Sequence, residues 1–197
     1  MTHLAWSEYL ANPRTTSFTS SNFDKYPKGT TCFLAPADLL RRSFVQFRSY
    51  YADERNASDD TPMIRWIADQ QPIHISPDFA CSYAARTTLG GFVNHAYHRG
   101  IVFLDGHGRR QSRFFPIAVA FYPLSLIAAL VLLRKPAWAV GGLVAGVAAA
   151  FGFTLARRFD SGEAASFATL SPVYAASHGA GMWHGLVLLV ANRLRRR

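Results

Sequence analysis

Two long uncharged stretches in the C-terminal half constrain the fold more than any other feature of the chain. Phe114 to Leu133 is twenty residues without a charge, which in a helix spans about 30 Å, one hydrocarbon thickness. Arg134-Lys135-Pro136 is too short for anything but a tight turn, and Ala137 to Ala156 is a second such stretch. The sequence therefore predicts a transmembrane hairpin within residues 109–158, with helices at 114–133 and 137–156.

The placement of basic residues supports this interpretation. A net charge of +9 would suggest nucleic acid as the partner of a soluble protein. Here the basic residues gather at the ends of the apolar stretches: Arg109, Arg110, Arg113, Arg134, Lys135, Arg157, Arg158 and the tail from Arg193 to Arg197. That pattern is typical of anchors attracted to anionic lipid headgroups. We therefore expect a lipid bilayer, and not nucleic acid, as a partner.

Orientation follows from the same charges. The positive-inside rule predicts a multi-pass protein of the cytoplasmic membrane, the inner membrane of a bacterium, with the polar N-terminal half and the basic tail in the cytoplasm. No cleavable signal peptide is visible, and Cys32 and Cys81 provide no disulfide framework or metal motif, so reduced thiols are expected. Residues 159–197 are predicted to form an interfacial or re-entrant segment, because a third span would place four tail arginines outside.

The first 108 residues predict an α+β region with several helices and a few short strands. Helices are expected over 36–52 and from Asp60 or Thr61 to before Gln71-Pro72, and the alternation of Ile73–Ser76 indicates a strand. Thr88 to Gly100 carries a continuous apolar stripe, which predicts an interfacial amphipathic helix. Asp105 to Gly108 is predicted to be a turn.

The order of short motifs resembles a known family of enzymes. Lys28-Gly29-Thr30 is followed by Asp59-Asp60-Thr61 at a helix start, then by the amphipathic helix and the membrane hairpin. This order is similar to the acceptor half of the family-two inverting glycosyltransferases that end in membrane helices. The resemblance implies that Asp60 is the catalytic base and that Asp59 stands where the family usually has Glu. A solvated helix cap is the competing interpretation of this acidic pair.

The resemblance also implies a set of substrate contacts, with basic side chains that help to hold a diphosphate. Those residues are Gly29, Thr30, Arg86, His95 and Arg99. The nucleotide-binding half of the family is missing, because no Asp-x-Asp occurs in the sequence. No cofactor is therefore predicted for this chain, and a divalent metal and nucleotide-sugar are expected only if another chain supplies the donor half.

These observations support two hypotheses about function. The first is a non-catalytic accessory subunit of a larger membrane protein complex, derived from a truncated glycosyltransferase. The alternative is the acceptor half of a membrane glycosyltransferase, which moves sugar from a nucleotide-sugar to a lipid-linked or envelope acceptor. Under the first hypothesis larger membrane subunits are the partners.

Four histidines allow other chemistry. His95 and His98 share a helical face, but no carboxylate or Cys stands at ligand spacing beside them, so no metal site is predicted. His178 and His184 lie in an apolar segment and are candidate ligands of a haem or pigment. They are six residues apart and do not share a face, so hydrogen bonding within a packed interface is the competing interpretation.

Overall fold

The computed structural model describes residues 9, 12–27, 30, 32–46, 48–57, 60–82, 84, 86–110, 112 and 114–195. The chain divides into two compact units. We call Met1–Tyr50 with Ala57–Ala85 the polar unit, and Tyr51–Asn56 with Arg86–Arg197 the helical unit. The described residues are mostly helical with two short strands, which agrees with the predicted α+β class in outline.

The polar unit contains a two-stranded antiparallel sheet and two α-helices. Strand β1 (Thr16–Phe18) pairs with β2 (Ile73–Ile75), and Ser17 faces His74. Helix α1 is Ala37–Gln46 and α2 is Asp60–Gln70, while Phe23–Lys25 forms one turn of 3-10 helix. The strand and the start of α2 agree with the predicted positions.

A bulky apolar core holds these elements together. Its buried members are Phe18, Phe23, Leu39, Met63, Ile64, Ile67 and Ala68. Arg65 lies across the ring of Phe23, at 4.2 Å from its centroid, and its guanidinium is 3.4 Å from Asp24. The apolar residues of α2 recur at helical spacing, so one face of that helix supplies four members of the core.

Helix α1 ends earlier than its sequence predicts. The apolar spacing indicated a helix over 36–52, yet α1 stops at Gln46 and Phe44 is about half exposed. Tyr51, which the spacing assigned to the same face, belongs instead to the helical unit, where it is buried. The spacing was misleading because this tyrosine has a tertiary partner, and its hydroxyl donates to the carbonyl of Ile101 at 2.8 Å.

The helical unit consists of a 3-10 turn at Glu54–Asn56 and four α-helices. They are α3 (Leu89–His107), α4 (Phe115–Arg134), α5 (Pro136–Ala156) and α6 (Ser161–Arg195). The backbone N–H of Gly91 donates to the Thr88 hydroxyl at 3.1 Å, which caps the start of α3. The predicted turn at Asp105 to Gly108 is helical as far as His107, since Leu104 and Asp105 are buried and packing extends the helix.

Helices α3 and α6 cross with their backbones in close contact. A Cβ atom added to Gly100 would overlap the carbonyl oxygen of His178, and one added to Gly181 would overlap that of Tyr97. One turn further along α6, a Cβ on Gly185 would lie 2.6 Å from the Tyr51 hydroxyl. Glycine at these three positions is therefore what permits the crossing.

Helices α4 and α5 are long and apolar enough to cross a membrane, as predicted from the sequence. They contain 20 and 21 residues, and Lys135 alone connects them. Three of the four helix ends differ from the predicted positions by one residue, and the end at Ala156 is as predicted. Nearly all of their apolar surface is exposed within the part of the chain that the structure describes.

Close helix approach and the shape of the last segment are two further features of the helical unit. Gly142 and Gly146 of α5 have the spacing that often permits close helix approach, but in the part of the chain that the structure describes nothing lies within 4 Å of a Cβ added to either residue. Close approach occurs instead at Gly181-x-x-x-Gly185 of α6. This last segment is one continuous helix, so it has no reversal at which a re-entrant segment would turn back. Its placement at an interface stays a prediction.

Candidate functional site

The structure brings two of the predicted site residues together in the polar unit. Asp60 is the first residue of α2, and the Thr30 hydroxyl donates to its Oδ1 atom at 2.7 Å. The pair is partly buried although 30 residues separate the two positions. Gly29 and Asp59, which were predicted beside them, lie outside the described residues.

This arrangement can serve two purposes. The hydrogen bond donated by Thr30 fixes the direction in which the Asp60 carboxylate points. A carboxylate held in this way can accept a proton from an acceptor hydroxyl if substrate excludes water. The same contact also ties the segment that carries Thr30 to the first turn of α2, which is a purely structural role.

The basic residues singled out by the sequence gather on the helical unit. Arg86, just before α3, is exposed, as are His98 and Arg99 on that helix, and His95 of α3 is partly exposed. Partial burial lowers the pKa of His95, and the positive charges of Arg86, Arg99 and His98 lower it further. No acidic residue occurs between Asp78 and Asp105, so this surface, which we call the basic face, is suited to a phosphate or another anion.

The described residues of the basic face do not include a set of metal ligands. Among the residues that the structure describes, no group of three or more His, Cys, Asp or Glu side chains could hold a metal ion. His95 and His98 are surrounded by positive charge, which opposes the binding of a cation.

His178 and His184 have different neighbours within the helical unit. The Nδ1 atom of His184 is 2.7 Å from the Tyr97 hydroxyl. His178 stacks on Tyr174, with ring centroids 5.2 Å apart, and meets the edge of Phe103. The buried Nδ1 atom of His178 has no hydrogen-bond partner in the described part of the chain. The two imidazoles therefore make separate contacts, and their role as haem or pigment ligands stays a prediction.

An apolar cleft in the polar unit was not predicted from the sequence. The cleft has a volume of about 540 Å³ and opens to solvent. Its walls come from α2, from β2 and from the segments 32–35 and 76–80, and they include Ile64, Ile67, Ile73, Ile75, Phe33, Phe79 and Cys32. The available signal was the pair Ile73 and Ile75, which alternate with His74 and so lie on the same face of a two-stranded sheet. Two apolar side chains on one face of so small a sheet need other residues to cover them.

No protein-family model, curated protein or solved structure matches this chain. The geometry described above is therefore the basis on which its function is argued.

Proposed function

We propose that this chain is a membrane-anchored accessory subunit of a larger membrane protein complex, with a polar unit that resembles the acceptor half of the family-two glycosyltransferases. The observation that carries the proposal is the exposure of large apolar side chains along α4 and α5. They include Ile117, Val119, Leu124, Leu126, Ile127, Leu130, Val140, Leu143 and Val144. Apolar surface of this extent is unfavourable in water, and it is matched by lipid or by apolar faces of neighbouring subunits.

Charge at the two ends of the hairpin supports a definite orientation. Arg109, Arg110, Arg157 and Arg158 flank the open end, while Arg134 and Lys135 lie at the turn. In this proposal the open end faces the cytoplasm of a bacterial cell and the turn faces outward. Trp138, about 79% exposed beside the turn, is placed to anchor in the outer headgroup layer.

The anchoring is tested by fractionation followed by site-specific labelling. The protein should stay with membranes through an alkaline wash and should require detergent for extraction. In a background with Cys32→Ser and Cys81→Ser, a Lys135→Cys thiol should react with an impermeant maleimide added outside intact spheroplasts. The matched variant Arg158→Cys should react only in inverted vesicles. Recovery of the protein in the soluble fraction, or labelling of Arg158→Cys from outside, would refute the proposed arrangement.

A second candidate function is the acceptor half of a membrane glycosyltransferase. The contact between the Thr30 hydroxyl and Asp60 favours it, because it combines two residues of the family-like motif. In this reading Asp60 takes the proton from the acceptor hydroxyl, with Asp59 beside it in sequence. In this reading the nucleotide-sugar and its divalent metal are held by residues outside this sequence.

One substitution separates the two functions. Asp60→Asn should abolish sugar transfer by a reconstituted pair of chains if Asp60 is the base, whereas an accessory subunit should still assemble with its complex. Asp69→Asn is the matched control, because Asp69 is an exposed acid near the other end of the same helix. Transfer that survives Asp60→Asn at the wild-type rate would exclude the enzymatic candidate.

A further inference from the structure

The apolar cleft of the polar unit is uncharged and opens between two exposed apolar side chains. Its volume of about 540 Å³ lies within the range of about 300–1,000 Å³ found for binding pockets. Its floor comes from the apolar core, and none of its described lining residues is Asp, Glu, Lys or Arg. Leu34 and Phe79 line its mouth, where they are 83% and 54% exposed. Large apolar side chains held in water beside an open cleft are typical of a contact surface.

The lining also shows that the cleft runs along a free edge of strand β2. Ile73 and Ile75 pack toward the core, and the exposed His74 points to the opposite face of the sheet. All three residues line the cleft, and so does Ser76. A cavity that touches residues of both faces lies along the edge of the strand. Since β1 occupies one edge of β2, the cleft follows the other.

The backbone at this edge has unused hydrogen-bonding groups. In an antiparallel pair, alternate residues direct their N–H and C=O groups toward the partner strand, and the residues between them direct theirs outward. In the part of the chain that the structure describes, the backbone groups of Ile73, His74 and Ile75 have no hydrogen bond outside the pairing with β1. No charged side chain occurs from Gln70 to Pro77, so no charge protects this edge against a further strand.

We propose that the cleft and the free edge of β2 are a docking site for an extended segment of a partner subunit, which pairs with β2 as a third strand of the sheet. Alternate side chains of that segment are apolar and enter the cleft, while those between them face solvent. The inference rests on the function proposed above and deepens it, because it names the surface at which the accessory chain meets its complex.

A polypeptide strand fits this site better than a lipid chain. A hydrocarbon chain could fill the cleft, but it would displace water from the outward N–H and C=O groups of β2 without replacing the lost hydrogen bonds. An extended polypeptide supplies a donor and an acceptor at the spacing of the strand, and its apolar side chains fill the cleft at the same time. Because β2 has three residues, we expect the docked strand to pair over a similarly short length.

The test places a photoreactive side chain at the mouth of the cleft, in cells that make the whole protein. Leu34 or Phe79 is replaced by p-benzoylphenylalanine. The same replacement at Val45 is the matched control, since Val45 is 68% exposed on α1 and is not part of the cleft lining. After irradiation, the linked peptides are identified by mass spectrometry. Both cleft positions should link to one short segment of one other protein, with alternating apolar side chains, and the control position should not.

A synthetic copy of the linked segment then tests the pairing itself. It should bind the purified full-length protein in detergent micelles at one copy per chain and slow the exchange of the β2 amides about tenfold, while the α1 amides stay unchanged. Two further copies are N-methylated on alternate sets of amides. The copy methylated on the edge that meets β2 should bind at least about tenfold more weakly, because it lacks the donors, and the other should bind normally.

A pair of aspartate variants tests the apolar part of the site. Phe79→Asp brings a charge to the mouth of the cleft and should weaken binding of the unmodified copy about tenfold. Val45→Asp adds the same charge outside the cleft and should leave binding unchanged. Both side chains are exposed in the wild-type protein, and far-UV circular dichroism checks that both variants are folded.

The inference would be overturned by links from the two cleft positions to lipid, which would show that a hydrocarbon chain fills the cleft, or to a second copy of this chain. Equal binding of the two methylated copies would also overturn it, since docking would then occur without strand pairing. A protein that leaves its membrane alone in mild detergent would refute the proposed function as well. A protein that co-purifies with other subunits, yet gives no link from Leu34 or Phe79, would refute the docking site only.

Discussion

The two units of this protein bury opposite kinds of residue. In the polar unit the most deeply buried side chains are bulky and apolar, with Phe23, Ile64 and Ile67 at 2% exposure or less. In the helical unit many of the buried positions are small, including Ala96, Ala118, Ala164 and Ala168. Large residues of α4 and α5, such as Leu126 at 60%, are exposed instead.

This difference indicates two sources of stability. Burial of large apolar side chains away from water stabilises the polar unit, as in an ordinary soluble domain. Close approach of small residues, together with hydrogen bonds between helices, stabilises the helical unit, as expected where the surroundings are themselves apolar. The following substitutions test that contrast, from the largest expected effect to the smallest.

Phe23→Ala should be the most damaging change. It removes a ring that is 1% exposed and lies under the Arg65 guanidinium, which should destabilise the polar unit by about 3–5 kcal/mol. Phe153→Ala on α5 removes the same ring where it is 54% exposed, and its effect on unfolding should stay within about 0.5 kcal/mol. Hydrogen exchange of the α2 amides measures the effect of Phe23→Ala, and that of the α5 amides measures the effect of Phe153→Ala. Equal losses of stability in the two variants would contradict the proposed difference between the two units.

Gly181→Ala adds a single methyl group to the helical unit at its tightest point. The new Cβ would overlap the Tyr97 carbonyl oxygen, so α3 and α6 must separate at a cost of about 1–3 kcal/mol. The same methyl at Gly142 meets open space and should be neutral or stabilise the helix by up to about 1 kcal/mol. Thermal unfolding in detergent compares the two variants. An unchanged unfolding midpoint for Gly181→Ala would show that α3 and α6 are loosely packed where they cross.

Tyr51→Phe removes one buried hydrogen bond. Loss of the 2.8 Å contact with the Ile101 carbonyl should cost about 1 kcal/mol. Tyr122→Phe, whose hydroxyl is 3.3 Å from the Met182 carbonyl, should cost less.

The same tyrosine makes the helical unit sensitive to alkaline pH. Burial raises the pKa of Tyr51, and the nearby Asp105 and Tyr122 raise it further. Since the folded state then holds a proton that the unfolded state releases, stability should fall as pH rises above the ordinary range for tyrosine. Unfolding curves recorded at increasing pH should show a smaller decline for Tyr51→Phe, and parallel declines would count against the assignment.

The basic face offers the mildest test. Because the charge of Arg99 contributes to lowering the pKa of His95, Arg99→Gln should move that pKa upward. Arg110→Gln changes an exposed charge beyond the end of α3 and should have no effect of this kind. An NMR titration of the His95 ring measures its pKa in both variants. Equal pKa values in the two variants would show that the charge of Arg99 does not act on His95.

Local sequence patterns predicted those elements that depend on neighbouring residues. The hairpin helices, the cap at Thr88 and the start of α2 each carry their own signal in charge, side-chain type or apolar period. The end of α1 and the extension of α3 through Asp105 depend instead on tertiary contacts. The spacing of apolar residues along the sequence carries no information about such contacts, so it cannot show where they override local helix propensity.

The candidate sites divide in the same way. Thr30 and Asp60 were each named as site residues from the resemblance to a family, but the contact between them was not predicted, because neither position carries a local signal of the other. The cleft arises where the irregular segments 32–35 and 76–80 line a cavity together with residues of α2 and β2. Irregular segments carry no periodic pattern from which such a neighbourhood could be derived.

A single residue, Lys135, separates α4 from α5, and this has a consequence for how the hairpin is made. If α4 and α5 cross a bilayer as proposed, so short a connection leaves no room for one helix to insert long before the other, and the two are expected to insert as a pair during synthesis. Lengthening the linker at Lys135 would therefore be expected to change the pathway of insertion before it changes the final arrangement.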